Sequence, residues 1–356
     1  MSRIAGYSNT PMRIFIHEYV SGGGLSGEPL PKRMAREGLL MLQAILEDFQ
    51  ALRHHQIRST LDARLRTSVP AGLPATLVDR KRYAEVFALF LEWAEAVLLI
   101  APETDGVLER LSAQVEGAGK SLLGSSSKGV AAAADKALTD SCFRASGVPT
   151  ARTRVVCFDN ETTRLIADFG YPAVVKPVDG AGGEGISVLR RPSQISAALR
   201  RLESATRCQT FLLQEYVVGI PASLSCLSDG ARILPLTLNT QYIHTGNGVN
   251  YGGGTIHIDH RSRSAAFGMV KKLHRGLPGL RGYFGVDLVL TRSGPVFIEV
   301  NPRLTTSYIG LRRAFSVNLA EAILTSAMGQ LPTLPKPRGS VRFFVHRNRR
   351  SNREKG

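Results

Sequence analysis

Two carboxylates and a side-chain amide recur at short spacing near the C-terminal third of the chain. Gly285-Val286-Asp287-Leu288-Val289-Leu290 turns through Arg292-Ser293-Gly294 into Val296-Phe297-Ile298-Glu299-Val300-Asn301-Pro302-Arg303. Folded as a hairpin centred near Ser293, this segment sets Asp287 opposite Glu299. The two-residue alternation of a strand then puts Glu299 and Asn301 on one face. Oxygen donors of this kind suit a hard cation such as Mg²⁺, with Mn²⁺ also admissible, which takes few protein ligands and fills its shell with phosphate and water. Like charges placed face to face are unfavourable unless a cation sits between them. Arg303 follows, where a guanidinium can reach a transferring phosphate or a substrate carboxylate. The plain alternative is a solvated hairpin with incidental acids.

A second segment supplies cationic and backbone donors. Val174-Val175-Lys176-Pro177 runs into Asp179-Gly180-Ala181-Gly182-Gly183-Glu184-Gly185, so a strand delivers a lysine and a glycine-rich loop follows. Gly180, Gly182, Gly183 and Gly185 let the backbone bring N–H groups against phosphate oxygens with no Cβ in the way. Lys176 adds a point charge for the same phosphates. Alone, the segment also reads as a flexible hairpin with an exposed lysine.

The elements that must position these residues fall into two styles. Residues 1–11 are polar and aperiodic and read as a loose leader, with Met12 an alternative start. Met12–Val20, His55–Thr60, Ala96–Ile100 and Ser121–Gly124 read as strands. They alternate with helical patterns at Arg33–Phe49, Tyr83–Glu92, Thr104–Gly117 and about Lys128–Ser146. That alternation predicts an α/β layer on a parallel sheet. From Pro149 the strand candidates come in antiparallel-looking pairs: Thr153–Cys157, Ala173–Pro177, Ser187–Arg190, Leu212–Tyr216, Ser223–Ser228, Ile233–Leu238, Gly285–Thr291 and Pro295–Val300. Helices at Glu161–Phe169, Pro192–Ser204 and Ser264–Arg275 punctuate this α+β region. Pro-rich residues 331–337 mark a boundary before a basic tail, in which Val341–Val345 offers a last strand.

Composition narrows the classes. With 356 residues, 43% hydrophobic and 21% charged, the chain fits two or three packed subdomains and excludes wholesale disorder. No apolar run is long enough to span a bilayer, and no secretory signal is visible. The four cysteines (Cys142, Cys157, Cys208, Cys226) are widely spaced, which argues against structural zinc or a disulfide framework and suits a reducing cytoplasm. The net charge of +16 is partly concentrated in residues 336–356, which hold eight Lys/Arg and one Glu. It fits either a nucleic-acid binder or an enzyme acting on polyanions such as ATP and amino-acid carboxylates. No RRM, KH or zinc-finger motif is present, so nucleic acid is not the expected partner. A homo-oligomer is compatible with everything in the sequence.

In motif order, Ser121 to Gln330 resembles the ATP-grasp superfamily. The resemblance implies an ATP-grasp fold, α/β and α+β, with an N-terminal Rossmann-like pre-ATP-grasp domain. The units are then 12–128 (pre-ATP-grasp), 129–211 and 212–330 (the two ATP-grasp subdomains) and 331–356 (basic tail). It implies phosphate-binding lysines at Lys136, in Ala134-Asp135-Lys136, and at Lys176, and an adenine site along Gln214-Glu215-Tyr216-Val217. The metal residues carry over onto Asp287, Glu299 and Asn301, and the phosphate-contacting arginine onto Arg303, so that Arg303 and Lys176 are the catalytic candidates. Members often place an acid in a Gly-x-Glu pattern after the adenine strand; this chain reads Gly219-Ile220-Pro221-Ala222-Ser223 and lacks it. The implied activity is ATP- and Mg²⁺-dependent ligation of a carboxylate to an amine through an acyl phosphate, on small-molecule amino-acid and amine substrates.

Gly22-Gly23-Gly24-Leu25-Ser26-Gly27 matches GxGxxG in form, but Pro29 and Pro31 prevent a helix from starting inside the motif. The resemblance suggests instead a loop bordering the substrate. Gly119-Lys120-Ser121 lacks the earlier glycine of a Walker A loop and enters a strand instead of leaving one. Ser125-Ser126-Ser127 reads as an N-capping run for the helix carrying Lys136. Met12-Arg13-Ile14-Phe15, Glu18, Ala101-Pro102-Glu103-Thr104-Asp105-Gly106, Leu123-Gly124-Ser125-Ser126 and Ala134-Asp135-Lys136 resemble one branch. That branch includes the tyramine–glutamate ligase of methanofuran biosynthesis and bacterial relatives linked to one-carbon metabolism. It implies glutamate as the activated acid and tyrosine or tyramine as the amine. Asn239, Gln241, Tyr251 and Gly252-Gly253-Gly254 either line the acceptor pocket or form a surface hairpin. Glu103 either holds the substrate amine or caps the helix after it. Another amino-acid or dipeptide ligase, a D-alanine–D-alanine-like enzyme, or a nucleotide-binding regulator without chemistry are the competing readings.

Overall fold

The computed structural model describes residues 10–68, 72–180, 182–246 and 248–345; most of the leader and the end of the basic tail lie outside the described residues. The first unit alternates strand and helix: β1 (Arg13–Glu18), α1 (Lys32–Gln50), β2 (Gln56–Asp62), β3 (Ala75–Val78), α2 (Tyr83–Trp93), β4 (Ala96–Ile100), α3 (Val107–Gly117) and β5 (Ser121–Leu122). The strands form one parallel sheet in the order β3-β2-β1-β4-β5. Side-chain alternation divides its core. Ile14, Ile16, Leu98 and Ile100 face α1, whereas Phe15, Val97 and Leu99 face α2 and α3.

The expected single helix over Lys128–Ser146 is two: α4 (Ser127–Ala134) and α5 (Lys136–Ala145). Asp135 breaks it. Its backbone is extended, and its Oδ1 accepts from Ala137 N at 2.8 Å and Leu138 N at 3.0 Å, so the aspartate caps the second helix instead of continuing the first. Ser126 caps α4, which agrees with the serine run read from the sequence, although the helix it starts is not the one bearing Lys136.

Next come β6 (Thr153–Cys157), α6 (Thr162–Phe169), β7 (Ala173–Pro177), β8 (Ser187–Leu189), α7 (Ile195–Glu203) and β9 (Thr210–Glu215), a four-stranded antiparallel sheet ordered β6-β9-β7-β8. It has its own core, in which Val156, Val175, Leu189, Phe211 and Leu213 pack against Ile166, Ala198 and Leu202. A third sheet contains β10 (Ile220–Ser228), β11 (Ile233–Gly246), β12 (Gly248–Ile256), β13 (Gly282–Leu290), β14 (Pro295–Asn301) and β15 (Val341–Phe344), ordered β14-β13-β10-β11-β12-β15. Helices α8 (Arg263–Val270), α9 (Tyr308–Ala314) and α10 (Leu319–Ala327) complete it.

Helix α1 is fixed from both sides. Besides its own sheet it packs on α9 and α10, and Ile45, Phe49, Tyr308, Leu311, Phe315 and Ile323 share one core with Ile256 and Phe343. At its end, buried Asp48 accepts from Tyr308 Oη at 2.6 Å and Arg312 Nη2 at 2.6 Å, while Asn318 Nδ2 donates to its carbonyl at 2.7 Å. Removing Asp48 strands the buried Tyr308 hydroxyl and the part-buried Arg312 charge. Asp48→Ala is therefore expected to lower stability by about 3 kcal/mol, against under about 1 kcal/mol for the exposed Glu47→Ala; urea melts of both variants would check this.

Candidate active site

A cavity of about 550 Å³ lies where the three sheets meet, and Lys176, Asp287, Glu299, Asn301 and Arg303 all reach it. Strand β7 brings Lys176 in from a position only 2% exposed. Its ammonium donates to Gln214 Oε1 at 3.0 Å, and Gln214 Nε2 donates on to Thr153 Oγ1 at 2.8 Å. The Gln214 side chain is therefore committed to holding the lysine, and the neighbouring Glu215, Tyr216 and Val217 present the rest of that strand end to the cavity. Lys136, at the first turn of α5, donates to Gly180 O at 2.5 Å and sits 3.9 Å from Glu299 Oε2.

The hairpin register predicted from the sequence holds: Asp287 pairs with Glu299, and Gly285 with Asn301, with a bulge just after Asp287. Asp287 accepts from Gln241 Nε2 at 2.9 Å and from Asn301 Nδ2 at 3.2 Å. Burial, and then the facing Glu299 charge, push the Asp287 carboxyl well above the usual carboxylate range. Burial also pushes Glu299 upward, but Lys136 and Lys176 outweigh it and hold that carboxyl below its ordinary value. Such a pair retains a proton on one member when nothing lies between them, and a divalent ion is what would replace it. The donor set fits Mg²⁺ in chemistry: two hard carboxylates and an amide, too few to hold an ion without phosphate oxygens. No group of three or more His, Cys, Asp or Glu suited to a metal occurs among the described residues.

Lys176 pays a desolvation cost that Glu299 only partly offsets, and its pKa is lowered to about 8. Phosphates require the ammonium form. ATP affinity at fixed Mg²⁺ is thus expected to be flat below about pH 8 and to fall by up to roughly tenfold per pH unit above it. Isothermal titration between pH 7 and 9.5 would read this, and a flat profile would show that the lysine charge is not what binds the nucleotide.

The glycine-rich loop is drawn over the cavity. Gly182, Gly183 and Gly185 have positive φ, and a Cβ on Gly183 would come 2.9 Å from Val249 O, in the hairpin of β11 and β12. Gly182 and Gly183 line the cavity; Gly180 and Gly185 form the base of the loop, against Pro177. Asp179 anchors it, accepting from Asp105 N at 3.1 Å and Thr206 Oγ1 at 3.2 Å.

The remaining expectations divide. Arg303 reaches the cavity but pairs with Glu103, whose Oε2 accepts from Nη2 at 3.0 Å while Oε1 lies 2.9 Å from Nε. Glu103 makes no capping hydrogen bond and is absent from the cavity lining, so neither role expected for it holds. Gln241 and Tyr251 line the cavity. Asn239 does not: it is buried within the sheet, its Nδ2 donating to Ser225 Oγ at 3.1 Å and its Oδ1 accepting from His257 N. Gly252–Gly254 lie in β12, where Gly253 and Gly254 let neighbouring backbones approach closely, and they do not line the cavity. The Gly22–Gly27 turn folds away, and the cavity is bordered there by Glu18 and Val20 instead. The sequence reading placed a substrate-bordering loop here and quoted Glu18, but gave Glu18 no role and singled out none of the α1 residues. Glu18, Met34, Glu37, Gly38 and Met41 line this end of the cavity, and the only signal was Glu18 ending a strand just before the glycines, with the other four on the inward face of α1.

Comparison with known proteins agrees with this arrangement. A family described as the ATP-grasp domain matches residues 133–307, and one described as the pre ATP-grasp 3 domain matches residues 55–130. The tyramine–L-glutamate ligase of Methanocaldococcus jannaschii is 27% identical over 322 residues, covering 88% of this chain and 89% of that protein. Its counterpart from Methanocaldococcus fervens is 32% identical over 236 residues, 66% of this chain and 67% of that protein. In fold, the biotin carboxylase domain of Hydrogenobacter thermophilus 2-oxoglutarate carboxylase, solved with MgADP, superposes with a TM-score of 0.71 at 18% identity over 92% of this chain and 73% of that one. A cavity bordered by Lys176, a glycine-rich loop and an acidic hairpin, with Lys136 behind Glu299, leads together with these relatives to one assignment. The chain belongs to the ATP-grasp superfamily, as an ATP-dependent carboxylate–amine ligase related to the tyramine–L-glutamate ligases.

Proposed function

We propose that the chain joins the carboxylate of glutamate to the amine of tyramine or tyrosine, in the manner of methanofuran-type cofactor biosynthesis. The observation that carries this reading is the lining that the first sheet and α1 add to the cavity beside the hairpin acids. Val20, Met34, Met41, Ile100 and Pro102 give the cavity an apolar wall there, Tyr251 and Thr305–Ser307 add hydroxyls, and Glu18 and Glu37 supply negative charge. An ammonium on an apolar or aromatic body matches such a lining. Glu18 is buried, and its carboxyl accepts from Ser21 N and Ser21 Oγ at 2.5 Å each. Burial raises its pKa to about 7 against the pull of Ser21, Val20 and Arg303, which suits a group that holds or relieves an ammonium of its proton.

In this reading the substrate carboxylate attacks the γ-phosphorus of ATP, ADP leaves, and the acyl phosphate is attacked by the amine to give the amide and free phosphate. Lys136, Lys176 and Arg303 neutralise and orient the phosphates, and the glycine loop keeps water out. Asp287, Glu299 and Asn301 would hold Mg²⁺, or Mn²⁺ in its place, which offsets phosphate charge when bound. Four free cysteines suit a cytoplasmic setting.

The test is a screen for ADP and phosphate release that crosses glutamate and other amino acids with tyramine, tyrosine and related amines. Release requiring glutamate and an aromatic amine is expected. Release only with other pairs would redirect the substrate assignment toward a different amino-acid or dipeptide ligase. No amine-dependent release with any pair would leave the regulator reading.

A further inference from the structure

The geometry points to Glu103 as a positioning residue for Arg303, supplied by the N-terminal unit to a site built mainly by the rest of the chain. This rests on the ligase reading for its kinetic consequences, though not for its structural ones. Glu103 is only 5% exposed and follows β4, two hundred residues before the arginine that it holds. Arg303 Nη2 donates to Glu103 Oε2 at 3.0 Å, and Nε lies 2.9 Å from Oε1 as an ion-pair contact without hydrogen-bond alignment, so one hydrogen bond and one close charge contact hold the guanidinium in place. What remains of Arg303 is the edge that donates to Leu304 O through Nη1 and faces the cavity.

The turn bearing Glu103 also meets the glycine loop. Two residues on, Asp105 takes a left-handed conformation, and its N–H donates to Asp179 at the start of that loop. One short turn of the N-terminal unit therefore touches both the arginine and the loop over the phosphates. Arg303 is oriented only while this turn is seated, so the turn couples the docked N-terminal unit to the charge that stabilises phosphoryl transfer.

The experiment uses the full chain with Glu103→Gln, Glu103→Ala, Arg303→Ala and the Glu103→Ala/Arg303→Ala double variant. With the substrates that the wild type uses, Glu103→Gln is expected to lower kcat by about 10²-fold, the cost of a slightly misplaced catalytic group, with KM for ATP changed by less than about threefold. The double variant should be no slower than Arg303→Ala, because Glu103 acts through the arginine. A Glu103→Gln kcat within about twofold of wild type, or losses that add in full in the double variant, would overturn the proposal. A second measurement needs no substrate: phenylglyoxal labelling of Arg303 in the free protein, followed by peptide mass spectrometry. Labelling several-fold faster in Glu103→Gln than in wild type is expected. Equal labelling in folded samples with matched melting temperatures overturns the proposal even if no substrate pair releases ADP. Faster labelling in a protein that releases none would instead count against the ligase reading alone.

Discussion

Glu299→Gln should lower amine-dependent ADP release by at least about 10³-fold, equivalent to some 4 kcal/mol of transition-state stabilisation. Glu299 serves two sets of partners at once. It faces Asp287 across the hairpin, where a divalent ion would bind, and it is the carboxylate whose charge raises the Lys176 ammonium against the cost of burial. The amide keeps the volume and loses both functions. An ion would be left with one carboxylate, and the Lys176 pKa would drop further below about 8, so that part of the lysine is neutral at the pH of the assay. The check is kcat at saturating ATP and Mg²⁺, with nucleotide-induced thermal stabilisation measured alongside it. Activity within tenfold of wild type would remove the acidic hairpin from the mechanism.

The second large effect runs in opposite directions for activity and stability. Lys176→Met is expected to raise KM for ATP by about 10²-fold while making the free protein more stable by about 2 kcal/mol at pH 7. A lysine lowered from 10.5 to about 8 carries a folding penalty near 3 kcal/mol whenever it is charged in both states, which is the case below pH 8. Methionine fills the space without the charge, and the loss of a partner for Gln214 takes back about 1 kcal/mol. The wild type should itself become more stable between pH 8 and 10.5, where the unfolded chain still binds the proton that the folded one has released. The advantage of Lys176→Met should therefore fade in that window. Denaturant melts at pH 7 and pH 10 distinguish this from a packing effect, which would persist at both.

The residues legible in the sequence were those whose spacing obeys a strand. Asp287, Glu299 and Asn301 could be placed because a tight turn at Arg292–Gly294 leaves one register, and Lys176 because an apolar strand runs directly into glycines. Where the sequence was misread, a tertiary partner decided the outcome. The alanine-rich run before Asp135 has strong helical preference, and nothing local reveals that Lys136 N–H is taken by Val178 O just past the end of β7. Strand β11 was read as ending at Leu238 but continues to Gly246, and its partner β12 is rich in glycine, a poor strand former that is needed here because adjacent backbones leave no room for a Cβ. The α1 wall of the cavity was hidden for a different reason: on the inward face of that helix a cavity-lining methionine and a core methionine have the same periodicity.

The second sheet keeps its apolar residues to itself, whereas the first and third share theirs through α1, α9 and α10. Mechanically, the molecule is thus one rigid frame carrying a separate lever. Tilting of the second sheet would break the polar ties of Asp179 to Asp105 and of Gly180 to Lys136, but would divide no shared apolar core. The frame enjoys no such freedom. Exchange of amide protons should then slow together across α1, α9 and α10, at the pace of whole-molecule unfolding, while the lever keeps an independent clock.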